Sequence, residues 1–202
     1  MSVDYVVEVY CGTNCRQRSL CVVNLEEKTI QTKEIFDGKI IKVQVEDVTL
    51  PNGHTSKREI IKHPGAVAVI PITKDNKIIF VKQYRKPLEK VLVEIPAGKL
   101  EEGEAPITTA LRELEEETGY TTKSLHYVTS FYTSPGFADE IIYLYETSDL
   151  EKLEVEKQLD EDEFVELLEL TLEEAEHLIQ SQEIHDAKTA YAILYLKSKG
   201  MR

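Results

Sequence analysis

The chain has 202 residues, 42% of them hydrophobic, and a formal net charge of -13. That length suits one catalytic domain with a small appendage, and that apolar share suffices for a core. The strong negative charge excludes non-specific nucleic-acid binding, which needs a basic footprint, and no run is apolar enough to span a membrane. The first residues lack the basic start and apolar core of a secretory signal, so a cytoplasmic location is expected. The three cysteines, Cys11, Cys15 and Cys21, match no zinc spacing and read as free thiols in a reducing compartment.

Residues 1–24 hold all the cysteines and read as an extension of no assigned role. From Leu25 onward, strands are predicted at Thr29–Phe36 and Lys39–Leu50, with Asp37-Gly38 as the turn between them. Pro51-Asn52-Gly53 is a second turn, leading to a strand near Lys57–His63. Residues 25–63 thus carry three strands joined by turns, and residues 64–202 the elements that follow. Gly65–Ile72 and Lys77–Gln83 read as a hairpin around Asp75-Asn76, and Val91–Ile95 as a strand delivering the chain to Pro96-Ala97-Gly98. Further strands are expected at Ser124–Phe131, Ile141–Tyr145 and Phe164–Leu170. Thr171, with Glu174 three residues on, forms a capping box for a helix to about Gln182, and a last helix covers Asp186–Ser198. Mixed sheet flanked by helices, an α-β-α sandwich of the α/β (α+β) class, fits this order.

The most informative stretch runs from Gly98 to Tyr120, GKLEEGEAPITTALRELEEETGY. Pro106 suits a first helical turn and Gly119 the position just past a helix end. Ile107, Ala110, Leu111 and Leu114 recur at helical spacing as one apolar stripe, while Glu113, Glu116 and Glu117 share a different face. Each like-charge pair at that spacing costs about 0.2–0.5 kcal/mol, and carboxylates near a helix C-terminus also face the negative end of its dipole. A divalent cation with a taste for hard oxygen, Mg²⁺ or Mn²⁺, reverses the sign of that problem and contacts substrate phosphates.

Gly98, Glu104, Arg112-Glu113-Leu114, Glu116-Glu117 and Gly119 together resemble the Nudix box of hydrolases that cleave nucleoside diphosphates linked to another group. Tyr120 departs from the commoner aliphatic residue, and an apolar ring fills the same slot. The resemblance implies that Glu113 and Glu117 are the main side-chain metal ligands with Glu116 close by. It also implies that the Ala97 carbonyl completes the shell and that Arg112 orients the glutamates. Glu104 either contacts metal-bound water or supports the loop.

Outside the box, Thr133-Ser134-Pro135-Gly136-Phe137 is, taken alone, a turn. Its place beyond the box resembles the ADP-ribose pyrophosphatase branch, where such a proline marks ADP-ribose hydrolysis, and Phe137 then supplies an apolar pocket wall. The acidic run Leu159–Glu166 resembles a loop of that branch that closes over the metals; Glu161 is assigned as general base and Glu163 as a metal ligand, the two roles being interchangeable. Arg58 and Arg85 lie in segments resembling those that touch ADP-ribose, and guanidinium suits a diphosphate; Lys99 follows the Ala97-Gly98 turn into the same pocket. The resemblance covers nearly all of the chain after residue 24. It implies that residues 25–63 form a small N-terminal antiparallel β-domain and residues 64–202 the Nudix hydrolase domain, with a homodimer built through the former and hydrolysis of ADP-ribose to AMP and ribose 5-phosphate. The alternatives are a Nudix hydrolase of a sugar nucleotide or dinucleoside polyphosphate, and a non-catalytic ADP-ribose-sensing module.

Overall fold

The computed structural model describes Val6–Val7, Cys21–Val22, residues 24–155, residue 157 and residues 164–201. The chain divides into two compact units, Met1–Ile61 and Lys62–Arg202. In the first, β1 (Val6–Val7) pairs antiparallel with β2 (Cys21–Val22). Strands β3 (Lys28–Asp37), β4 (Lys42–Thr49) and β5 (Thr55–Lys62) form a three-stranded sheet in that order, with β3 antiparallel to β4. The turn after β3 closes where the Gly38 N–H donates to the Ile41 carbonyl (3.0 Å). The turn after β4 needs its glycine: Gly53 has φ +84° while its N–H donates to Leu50 (2.9 Å). Strand β3 is exposed along its whole length, Ile30, Ile35 and Phe36 included. Three strands bury little, and Val48 is the unit's one fully buried apolar side chain among the described residues.

The second unit opens with β6 (Ala66–Pro71), β7 (Ile78–Arg85), β8 (Lys90–Glu94) and β9 (Ala97–Lys99). Helix α1 (Pro106–Thr118) follows, then β10 (Tyr120–Thr122), β11 (His126–Tyr132), β12 (Ile141–Thr147) and β13 (Leu150–Lys152). Strand β14 (Val165–Leu170), α2 (Leu172–Gln180) and α3 (Ala187–Ser198) complete it. A four-stranded mixed sheet runs β11-β12-β6-β9, with β6 parallel to β12 and antiparallel to β9. An antiparallel sheet runs β14-β7-β8, and β10 pairs with β13.

Strand β6 is buried on both faces, as a near-continuous apolar run requires. Val67 and Val69 join Ala110 and Leu114 of α1 in one apolar cluster. Ala68 and Ile70 join Leu172 and Ala175 of α2 and Ala192, Ile193 and Leu196 of α3 in the other. The sheet therefore lies between helices, which is the α-β-α arrangement expected from the sequence. The predicted capping box forms in full at Thr171 and Glu174, and Asp186 caps α3 through the Thr189 N–H (3.1 Å).

Two expectations are corrected. The segments around Asp75-Asn76 turn back on each other but do not form the predicted hairpin: β6 and β7 enter different sheets, and the segments between them meet through an isolated bridge from Ile72 to Ile78 and a bond from the Thr73 N–H to the Lys77 carbonyl (2.8 Å). Buried on both faces, β6 is claimed by β12 and β9, while β8 and β14 take the two edges of β7. The apolar stripe of α1 is also narrower than predicted. Ala110 and Leu114 are fully buried, yet Ile107 is 48% exposed. The buried side of the helix is shared instead with Glu113 (8% exposed) and Glu117 (5% exposed).

Candidate active site

Helix α1 begins at Pro106 and ends where Gly119 adopts φ +70°, its N–H donating to the Glu115 carbonyl (3.0 Å). Just before the helix, β9 lies along the edge of β6, pairing Ala97, Gly98 and Lys99 with Ala68, Val67 and Ala66. The buried carboxylates of α1 therefore meet the backbone of β9. The Ala97 N–H donates to Glu117 Oε2 (2.9 Å). Glu113 comes so close to Gly98 that a Cβ there would lie 1.9 Å from its Cδ and 2.0 Å from its Oε1. Glycine is needed at 98 because a carboxylate occupies the space of a side chain.

Arg112 holds the same cluster from the other side. Its Nη1 donates to Glu113 Oε1 (2.8 Å) and Glu116 Oε2 (2.9 Å), and its Nη2 to Glu104 Oε2 (3.3 Å). Glu104 also accepts from the Thr109 hydroxyl (2.8 Å), a bond that, with Arg112, holds its carboxyl below the usual range. Burial works against the Arg112 charge, but the surrounding glutamates more than offset it and raise its pKa. Part of the repulsion among the glutamates is thus met from within the helix. Its Nε is buried and has no hydrogen-bond partner among the described residues.

No group of three acidic, histidine or cysteine side chains among the described residues is already drawn together as a metal site. Glu113 and Glu116 are turned to Arg112, and Glu117 to Ala97. The donors nevertheless suit a hard divalent cation. Two largely buried carboxylates meet one turn of backbone, and the residue that would crowd them is a glycine.

Beside this turn lies a cavity of about 510 Å³. Ala97, Gly98 and Lys99 form part of its wall, Thr133, Glu140 and His63 another, and Arg85, Glu94, Asp186 and Lys188 a third. The His63 Nδ1 accepts from the Gly65 N–H (3.1 Å), and its Nε2 stands 3.7 Å from Glu140, which also accepts from the Thr133 hydroxyl (2.5 Å). On the third wall Arg85 grips the buried Glu94 through two bonds, Nε to Oε1 (2.7 Å) and Nη2 to Oε2 (2.8 Å). Lys188 adds a further bond to Glu94 Oε2. Burial pushes the Glu94 carboxyl up, but the Arg85 hydrogen bonds and the Lys188 and Arg85 charges outweigh it and hold the group at about 2.

A carboxyl depressed from 4.5 to about 2 stabilises the fold above pH 4.5, and that contribution is lost as pH falls toward 2. It is of the order of 3 kcal/mol. Denaturant melts of the parent are expected to lose stability more steeply between pH 4.5 and 2 than those of Glu94→Gln; parallel profiles would contradict the assignment.

The structure brings Ala97, Lys99, Arg85, Arg112, Glu113, Glu116 and Glu117 to this turn and cavity. Pro135 and Phe137 sit in a loop closed by bonds from the Phe137 and Ala138 N–H groups to Ser134. Neither lines the cavity; Thr133 and Glu140, flanking that loop, do. Arg58 belongs to the first unit, where it makes two bonds to Glu27 (2.8 and 2.5 Å). Glu161 and Glu163 lie outside the described residues. Glu94, Lys188, Asp186, His63 and Glu140 were not anticipated. Glu94 did leave a trace, an acid inside the apolar run Val91–Ile95.

Residues 62–192 match the model of the NUDIX domain, and residues 27–61 that of the nucleoside diphosphate sugar hydrolase N-terminal domain. The chain is 64% identical to an ADP-ribose pyrophosphatase of Bacillus subtilis (strain 168), over 87% of this chain and 95% of that protein. It is 63% identical to a methanol dehydrogenase activator of Bacillus methanolicus, over 85% and 93%. Among solved structures, one described as an ADP compounds hydrolase superposes with a TM-score of 0.76 at 20% identity, covering 88% of this chain and 97% of that one, and shares its fold. Matched by the family model across its second unit and by relatives along most of its length, the chain belongs to the Nudix family.

Proposed function

We propose that this chain is an ADP-ribose pyrophosphatase that hydrolyses the diphosphate of ADP-ribose to AMP and ribose 5-phosphate with the help of Mg²⁺, or of Mn²⁺ in its place. The 64% identity to a protein of that name supports the substrate. The seating of the Glu113 carboxylate against Gly98, with Glu117 on the Ala97 N–H, supports the chemistry. Glu113, Glu117 and the Ala97 carbonyl would hold the cation, with Glu116 close by and Glu163 as a further ligand. When bound, the cation supplies positive charge to the diphosphate and lowers the pKa of bound water.

The remaining work falls to the protein. Arg112 keeps Glu113 and Glu116 in place between turnovers. Arg85 and Lys99 line the cavity and present positive charge to an anionic substrate. Glu161 takes the proton of the attacking water. Arg58 contacts ADP-ribose through its guanidinium, and Pro135 and Phe137 shape the approach. Residues 25–63 act as the β-domain through which two copies pair; the exposed Ile30, Ile35 and Phe36 on β3 support pairing. Residues 64–202 carry the catalytic domain, residues 1–24 are an extension, and the enzyme works in the cytoplasm. No helix among the described residues is long and apolar enough to cross a membrane.

A panel of ADP-ribose, sugar nucleotides and dinucleoside polyphosphates, assayed with Mg²⁺, tests this reading. ADP-ribose is expected to give the highest kcat/KM, and chelation to abolish turnover until Mg²⁺ is restored. A clear preference for another diphosphate would end the substrate assignment, and full activity in chelator would end the metal assignment. The methanol dehydrogenase activator of similar identity favours a second reading, in which this chain also raises the activity of a methanol dehydrogenase. Unchanged dehydrogenase rates on addition of the purified protein would exclude it.

A further inference from the structure

The third wall of the cavity holds more charge than one substrate contact requires. Glu94 is 2% exposed, and a carboxylate so placed must be paired. Arg85 alone supplies a two-bond fork that uses both carboxylate oxygens. Yet a second cation, Lys188, reaches the same carboxylate from the other end of the domain and is itself only 9% exposed. A buried lysine is costly and needs a reason.

Three bonds fix where that lysine stands. Asp186 caps α3 through the Thr189 N–H (3.1 Å) and accepts from Lys188 Nζ (2.9 Å). The Thr189 hydroxyl accepts from the Ile95 N–H (3.0 Å). The first turn of α3 is thereby fastened to the end of β8, two residues before Ala97. Lys188 has its donors directed at Glu94 and Asp186. Arg85 has only Nε and Nη2 on Glu94, its Nη1 lies outside that fork, and its side chain is 39% exposed at the cavity wall.

We propose that Lys188 is a positioning residue for the anionic part of the substrate: by offsetting part of the Glu94 charge from α3, it leaves more of the Arg85 charge available to the cavity. Arg85 and Glu94 by themselves form a neutral pair whose carboxylate competes with phosphate for the guanidinium. Lys188 is shared between Glu94 and Asp186, so it offsets part of the Glu94 charge, and that competition weakens while the geometry of the guanidinium is kept. Lys188 stands in the same cavity wall, but its Nζ is committed to Glu94 and Asp186, so it acts through Glu94 on Arg85. This assignment rests on the reading of the cavity as the site of nucleoside diphosphate hydrolysis.

Lys188→Met and Lys188→Arg, made in the full chain, test it. For ADP-ribose with Mg²⁺, Lys188→Met is expected to raise KM roughly tenfold while kcat stays within about threefold, and Lys188→Arg to return KM most of the way. Inhibition by AMP, which carries phosphate, should weaken in Lys188→Met, while inhibition by adenosine, which does not, should hold. An unchanged KM, or equal weakening of AMP and adenosine, would overturn the proposal, the second outcome pointing to a structural role alone. Should Lys188→Met fail to fold, Lys188→Gln keeps a donor to Glu94 without the charge and is expected to show the same KM rise. If the parent prefers another nucleoside diphosphate, the substrate reading falls, and the Lys188 comparison is made on that substrate with the same outcomes decisive.

Discussion

Glu117→Gln is expected to fold as the parent does and to lose about a thousandfold in kcat with ADP-ribose and Mg²⁺. The two expectations separate because the side chain has two tasks. Its Oε2 accepts from the Ala97 N–H (2.9 Å), and the carbonyl oxygen of a glutamine amide can accept the same bond. The fold contact therefore survives. The negative charge does not, and charge is what draws a divalent ion to a hard-oxygen site. Circular dichroism and thermal melting should be close to those of the parent, while calorimetric titration with Mg²⁺ or Mn²⁺ should show weakened binding. Activity within tenfold of the parent in a folded Glu117→Gln protein would remove Glu117 from the chemistry.

Gly98→Ala is expected to be almost as damaging to turnover, by about a hundredfold or more, with a much smaller effect on stability. The added Cβ would stand 1.9 Å from Glu113 Cδ, so the carboxylate must leave its place. The end of a glutamate side chain can move without unfolding the helix that carries it. Its new position, however, is away from the Ala97-Gly98 turn and strains its bond to Arg112 Nη1. Thermal midpoint and kcat measured on the same preparation separate the two effects. Parent-like turnover would show that the closeness of Glu113 to Gly98 has no catalytic meaning; a collapse of stability in proportion to activity would show that it is only a packing constraint.

Local chemistry was legible wherever one turn of chain contains both partners. Pro106 and Gly119 bound α1 as the residue types demand, and Thr171 with Glu174 closes its capping box. Asp186, read from the sequence as the start of the last helix, is the cap of α3. What escaped depends on partners far apart in sequence. The reversal at Asp75-Asn76 was recognised, but which strand pairs with β6 is decided by β12 and β9, not by the turn. The side of α1 that faces inward was misjudged at Ile107 because Glu113 and Glu117 take space that apolar residues would otherwise fill. Lys188 and Glu94 give no local sign of each other, since their bond joins the last helix to β8. The box itself, by contrast, puts Glu113, Glu116 and Arg112 within two turns of helix, and the pattern of that spacing was enough to bring them together.

Strand β6 is laid down early in the chain, yet its parallel neighbour β12 comes only after α1 and β11. Loop-closure entropy must be met before such a distant pairing yields any gain. During synthesis on the ribosome, then, β9 gains its neighbour β6 well before β6 itself is secured on its other edge. A nascent or prematurely released chain ending before β12 thus carries the whole Nudix box beside a β6 strand with one edge still uncovered.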